Sequence, residues 1–176
     1  PGSDCGYLDL RQQNLGGTNT NGFDFGVSVR RSLGSMGKVD LAWNGTYITK
    51  YEYQDFQGGA YNQNVGVYVG VAPIFRLQHT ATAAWTLGDV TLGGVVRYKS
   101  GYQDQDPVNK VTYYTTTDAY LSWKAMKGLS LTFGINNLGD TDPPYSNQNE
   151  VFQANYDPRF TDPTGRKYYV RASYQF

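Results

Sequence analysis

Hydrophobic and polar residues alternate singly along most of this chain. Phe23, Phe25, Val27 and Val29 interleave with Asp24, Gly26, Ser28 and Arg30, which is the period of a β-strand with one apolar face. The pattern returns over Val39, Leu41, Trp43, Tyr47 and Tyr51, then over Leu77, Ala81, Ala83 and Trp85, and over Val90, Leu92, Val96 and Tyr98. It continues through Ala119, Leu121 and Trp123, through Leu129, Leu131, Phe133 and Ile135, and through Tyr168, Val170, Ala172, Tyr174 and Phe176. With a shorter stretch over 7–14 this predicts about eight strands. Gly, Thr, Tyr and Val stand where an amphipathic helix needs Ala, Leu, Glu and Lys, so the predicted class is all-β.

The connections alternate as well. Tight turns are expected at 33–37, 87–89 and 125–128, and long links at 54–72, 103–111 and 139–165. That is an antiparallel meander with its short turns at one end and its long loops at the other. The link over 15–21 breaks the rule, being short where a long one is due.

A soluble β-sandwich also has alternating faces. Three features favour an antiparallel transmembrane β-barrel instead. Alternation is sustained for the roughly 9 to 11 residues that a tilted strand needs to cross a bilayer. Aromatic residues gather at strand ends, with Trp85, Trp123, Tyr174 and Phe176 toward the short turns and Tyr51, Tyr53, Tyr98, Tyr102, Tyr113, Tyr114 and Tyr168 toward the long loops. Rings of that kind favour the two headgroup levels. Finally, the polar phase carries Arg97, Lys99, Asp118 and Arg171 inside regular strands, as expected of side chains that face a wet lumen. His79 falls on the apolar phase and is expected at the outer interface.

Composition narrows the function. The 176 residues hold 15 Lys and Arg against 15 Asp and Glu, so no basic surface speaks for nucleic acid. Aromatic residues make up 15%, including 16 Tyr, and 21 Gly add to them, which is far from a disordered composition. Cys5 is alone, which excludes an internal disulfide and a multi-cysteine metal site. No apolar run reaches the length of a membrane helix. With one His, one Cys and no GxSxG, Walker or dinucleotide signature, an enzyme is not expected, nor is a cofactor.

The paired carboxylates Asp104 and Asp106, Asp140 and Asp142, and Asp157 and Asp162 lie in Pro-rich links and read as turn formers, so no metal site is assigned. Tyr61, Tyr145, Phe152 and Tyr156 stand in the long links among many Asn and Gln. They suit stacking on a sugar, catecholate or haem ring, or they pack the loops together. The charges Arg97, Lys99, Asp118 and Arg171 either pair across strands or line a path through the lumen.

The stretch GRKYYVRASYQF, with Tyr168, Val170, Ala172, Tyr174 and Phe176 alternating, resembles the signal that presents outer-membrane barrels to the barrel-assembly machinery. Upstream, LTFGINNLGD (131–140), DPPY (142–145), QNLGG (13–17) and RYKSGY (97–102) resemble the late strands of TonB-dependent outer-membrane receptors. Gly139 stands where that family usually has Phe. The resemblance implies the C-terminal part of a 22-stranded barrel, with residues 1–176 as one portion of it and the plug absent from this sequence. It also implies a Gram-negative outer membrane, contact with bilayer lipid and lipopolysaccharide, a TonB-type energising partner, and uptake of a scarce nutrient, such as a siderophore or carbohydrate, captured by the long loops. A small barrel acting as adhesin or scaffold is the alternative.

Overall fold

The computed structural model describes residues 16–70 and 72–175. Seven long strands form one antiparallel meander: β1 (Thr18–Ser32), β2 (Lys38–Gln54), β6 (Leu77–Leu87), β7 (Val90–Lys99), β10 (Tyr114–Met126), β11 (Leu129–Asn136) and β12 (Lys167–Tyr174). Short β3 (Tyr61–Gln63) adds to β2 as the eighth member of the sheet. Two small ribbons, β4 (Tyr68–Val69) with β5 (Ala72–Pro73) and β8 (Tyr102–Gln103) with β9 (Lys110–Val111), belong to the long loops. Among the described residues β1 and β12 are the two edges of the sheet, which there is an open wall and not a closed eight-stranded barrel. The strand expected over 7–14 lies outside the described residues.

Register explains why the faces separate so cleanly. Val29, Leu41, Ala83, Gly94, Ala119, Ile135 and Tyr168 are successive cross-strand partners and make one row. The next row toward the short turns runs Val39, Trp85, Leu92, Leu121, Phe133 and Val170. Because side chains alternate strictly, every member of these rows points to the same side. That side covers no second layer: Leu41, Leu92, Leu121, Phe133 and Val170 are all exposed. Among the described residues the buried apolar ones are instead Val65, Tyr68, Phe75, Tyr102 and Val111, all of them in the loops. A water-soluble sheet would have to bury its apolar face against something. This one leaves it open across the whole wall.

On the apolar face the aromatics mark two levels. Near the loops, Phe25, Gly45, His79 and Tyr98 are cross-strand neighbours. Gly45 lets Phe25 and His79 close in from both sides, where a Cβ would meet both. His79 stacks on Tyr98 at 4.9 Å and meets the edge of Trp43, and Tyr98 stacks on Tyr113. His79 is thus held among rings at the loop-side level. Near the turns stand Trp85 and Trp123, and the Trp85 indole donates to the Met36 carbonyl at 2.8 Å. From His79 to Leu87 is about 27 Å along the strand at about 3.4 Å per residue. A tilt of 35–45° reduces that to roughly 20 Å of height, close to the apolar band of a membrane barrel.

The polar face packs differently. Gly93, Tyr120, Gly134 and Tyr169 are consecutive partners across β7, β10, β11 and β12. Each tyrosine ring lies over the glycine of the preceding strand, in space that any Cβ would take. Ion pairs run beside them, with Arg30 on Asp40 and Arg97 on Asp118.

Two expectations are corrected here. Residues 18–21 are not a link but the start of β1, paired with Lys50 to Tyr53. An irregularity at Thr49 then shifts the register, so that Asn21 faces Lys50 while Gly22 faces Ile48. The extra residue moves Tyr51 out of the phase of Tyr47, and the apolar alternation of β2 ends there.

Candidate functional site

The links 55–76, 100–113 and 137–166 all leave the same edge of the wall, and they are interlocked. Gln103 donates its backbone N–H to the Gly66 carbonyl at 2.9 Å, joining the first two. Tyr68, Phe75, Tyr102 and Val111 make a small apolar core between them, and Phe160 from the third link packs on it. Burial pushes the Tyr102 hydroxyl up to about 12 from an ordinary 10.0.

Two polar clasps add the third link. Asp104 is 1% exposed, yet its carboxylate is fully satisfied. One oxygen accepts from Ser146 Oγ and Gln105 N, both at 2.9 Å. The other accepts from Asn109 Nδ2 and Asn147 N, both at 2.7 Å. At the second clasp Asp157 holds Arg159 through two side-chain bonds, while Arg159 Nη2 donates to the Tyr68 hydroxyl at 2.7 Å. Asp157 raises the Arg159 guanidinium above its ordinary value, so the cation persists at any working pH.

The 157–162 strap turns back over the polar face. Lys99 Nζ donates to the Phe160 carbonyl at 2.6 Å and Tyr114 Oη to the Asp162 carbonyl at 3.2 Å. Between strap and sheet lies a cavity of about 450 Å³ reached by Arg97, Asp118 and Lys167 as well. Thr164 and Lys167 lower the Asp162 carboxyl to about 2, well below its ordinary 3.8.

The four loop aromatics are dispersed. Tyr61 lies on β3, and Tyr145, Phe152 and Tyr156 lie on link 137–166. Among the described residues no ring contact joins them to one another. The rings that knit the loops are Tyr68, Phe75, Tyr102 and Phe160 instead. Phe152 is 98% exposed at the tip of a turn built around Gln148. The buried Gln148 amide accepts from the N–H groups of Glu150 and Val151 and donates to the carbonyls of Gln153 and Tyr156. Tyr145 and Tyr61 are also exposed, and Tyr156 is half-buried.

Of the strand charges, Arg97 pairs with Asp118, Lys99 holds the strap, and Arg171 lies over the Tyr169 ring at 6.0 Å. Tyr168, Val170, Ala172 and Tyr174 occupy the apolar face of β12, and Phe176 lies outside the described residues. Asp106 and Asp162 cap local turns through Val108 N and Thr164 N. Asp104, by contrast, crosses between loops, a role that its sequence neighbourhood of turn formers does not distinguish. Among the described residues no three His, Cys, Asp or Glu side chains are grouped to hold a metal ion.

A meander of long antiparallel strands, apolar on an uncovered face, polar on the other and looped at one edge, is the wall of a membrane-spanning β-barrel. The chain belongs to the TonB dependent receptor-like, beta-barrel family, whose model matches residues 1–138. Among solved structures it is similar to the siderophore receptor PiuA from Acinetobacter baumannii, with a TM-score of 0.56 and 19% identity over 90% of this chain and 22% of that one. It is similar also to a variant of the ferric enterobactin receptor PfeA from Pseudomonas aeruginosa, with a TM-score of 0.57 and 15% identity over 89% of this chain and 22% of that one. At such identities the likeness is one of fold. The chain spans about a fifth of these receptors, 22% of each. Comparison with curated protein sequences gives no match.

Proposed function

We propose that this chain is the C-terminal part of the barrel of a Gram-negative outer-membrane receptor. Its long loops face outward and capture a scarce nutrient, and an energising TonB-type protein then acts on a plug encoded elsewhere in the protein. The observation that carries this reading is the loop platform: three links fixed to one another by two buried clasps, presenting Phe152 and Tyr145 to solvent on a frame that does not need ordering on binding. Preorganised, exposed aromatics of this kind are typical binding anchors. A ferric siderophore is the favoured substrate, because its planar ligands stack on such rings and because the two similar structures are named for siderophores. A carbohydrate is the second choice. Tyr61 and Tyr156 complete the contact set. Arg97, Lys99, Asp118 and Arg171 border the inward path, and the β12 alternation together with Phe176 is the segment read by the barrel-assembly machinery.

The test uses the full-length receptor and a ferric catecholate as probe. Saturable binding is expected, weakened about tenfold by Phe152→Ala or Tyr145→Ala, with uptake abolished when the proton-motive force is collapsed. Absence of binding to ferric catecholate, ferric hydroxamate and maltodextrin alike, combined with receptor-dependent cell adhesion, would overturn the receptor reading in favour of an adhesin.

A further inference from the structure

The cavity between the 157–162 strap and the polar face holds a charge that its own ion pairs leave unbalanced. Strict alternation puts Arg97 and Lys99 of β7, Thr116 and Asp118 of β10, and Asn136 of β11 on its sheet side. Arg159, Asp162 and Lys167 complete the charged lining. Three of the four cations have a carboxylate: Arg97 pairs with Asp118, Lys167 with Asp162, and Arg159 with Asp157. Lys99 has none among the described residues. Its Nζ donates to the Phe160 carbonyl and lies 6.0 Å over the Phe75 ring, so this half-buried ammonium faces a dipole and a ring but no counter-ion. A charge partly withdrawn from water in this way calls for a partner of opposite sign.

The hydrogen-bond donors around Lys99 are in excess as well. Arg97 reaches Asp118 through Nη1 alone, and the rest of its half-exposed guanidinium is uncommitted. The Thr116 hydroxyl and the Asn136 amide also line the cavity, and neither makes a hydrogen bond among the described residues. The carboxylates are already taken: Asp118 accepts from Arg97 and the Asn137 N–H, and Asp162 from Thr164 and Lys167. At about 450 Å³ the cavity lies within the range of small-molecule sites.

We propose that this cavity is an oxyanion site: a carboxylate or phosphate group of a solute sits on Lys99 Nζ, with Arg97, Thr116 and Asn136 as its further donors. An ammonium carries three N–H groups, and Lys99 gives only one of them to Phe160. A point charge beside the planar fork of a guanidinium suits the several acceptor oxygens of such a group. The site is separate from the exposed loop aromatics, since neither Phe152 nor Tyr145 lines it. The identity of the solute rests on the proposed receptor reading. On that reading the nutrient carries an acidic group besides the part that stacks on the platform, and the strap cavity holds that group.

The experiment titrates purified full-length receptor in detergent, at low salt, with succinate and separately with inorganic phosphate, followed by isothermal calorimetry. One saturable site is expected for at least one of the two anions, and the tighter one names the acidic group. Lys99→Met should weaken it about tenfold, and Lys99→Arg, which keeps the charge, should retain most of the affinity. Lys110→Gln removes an exposed loop cation outside the cavity and should change nothing. Because Lys99 also holds the strap, Thr116→Val gives an independent reading: it leaves every bond of the strap in place and should weaken binding about threefold. Heat-modifiable mobility reports that each variant is folded. No saturable binding of either anion up to about 10 mM, or equal losses in Lys99→Met and Lys110→Gln, would overturn the proposal. A receptor that binds neither anion yet keeps ferric catecholate binding and energised uptake would lose this site while the receptor reading stands.

Discussion

Leu41→Arg is expected to destabilise the folded receptor in a bilayer by about 2–4 kcal/mol, the cost of an arginine on the lipid face at the midplane. Leu41 is 45% exposed between Val29 and Ala83, so little packing is lost by replacing it. It lies in the row midway between the His79 and Trp123 levels, where the guanidinium has the longest reach to either interface. A sheet with the same face in water would hardly notice the change, since exposed substitutions away from special features stay within about 0.5 kcal/mol. Leu131→Arg on the same face is the contrast, because the register pairs Leu131 with Trp123 and Ala172, at the turn-side level. There the cost falls toward about 0–1 kcal/mol. Urea unfolding in lipid vesicles, followed by heat-modifiable mobility, measures both. Equal costs at the two positions would mean that the wall does not span the membrane at the depth assigned here.

Asp104→Ala has the second large effect, and it is local. The substitution removes the acceptor shared by Ser146 Oγ, Asn109 Nδ2 and the N–H groups of Gln105 and Asn147 in a site that admits almost no solvent. Removing one member of such a buried charged network costs about 3–5 kcal/mol. None of the seven long strands uses Asp104, so the loss falls on the union of links 100–113 and 137–166. Limited proteolysis of intact cells should then nick link 137–166, while the barrel keeps its resistance to heat and detergent. Protection equal to wild type would show that the clasp does not hold the platform. Asp104→Asn, which keeps shape and part of the bonding, should lie between.

The wall was legible from sequence because a strand encodes its faces locally. Phe23 to Arg30 or Leu129 to Asn136 display the period of two without help from any neighbour, and the tight turns are marked by Gly88 and Gly128. The departures arose where the information is not local. The irregularity at Thr49 depends on how β1 meets β2, and nothing in Tyr47 to Tyr51 announces it. The start of β1 is polar, Thr18 to Asn21, since it lies beyond the apolar band, and it therefore read as a link. The loop platform was the least legible part. Asp104 and Ser146 are 42 residues apart, and both belong to residue types that form solvated turns. Arg159, Tyr68 and Gln148 carry no motif either, and only the folded loops show that they are partners. The four loop aromatics Tyr61, Tyr145, Phe152 and Tyr156 stand out in the sequence by type and place alone. Folding separates them into exposed Tyr61, Tyr145 and Phe152 and half-buried Tyr156, while the rings that pack were others.

The central claim is that this wall crosses the outer membrane with its long loops outside. In full-length receptor carrying Cys5→Ser, single cysteines replace Phe56, Val108 or Phe152 on the three links, and Ser35 or Lys127 in the short turns. All five positions are exposed, and none takes part in the clasps. Treated on intact cells with a membrane-impermeant maleimide, the three loop positions are expected to label fully. Those at Ser35 and Lys127 should label only after the outer membrane is permeabilised. Labelling of all five on intact cells, or of the turn positions alone, would contradict the account.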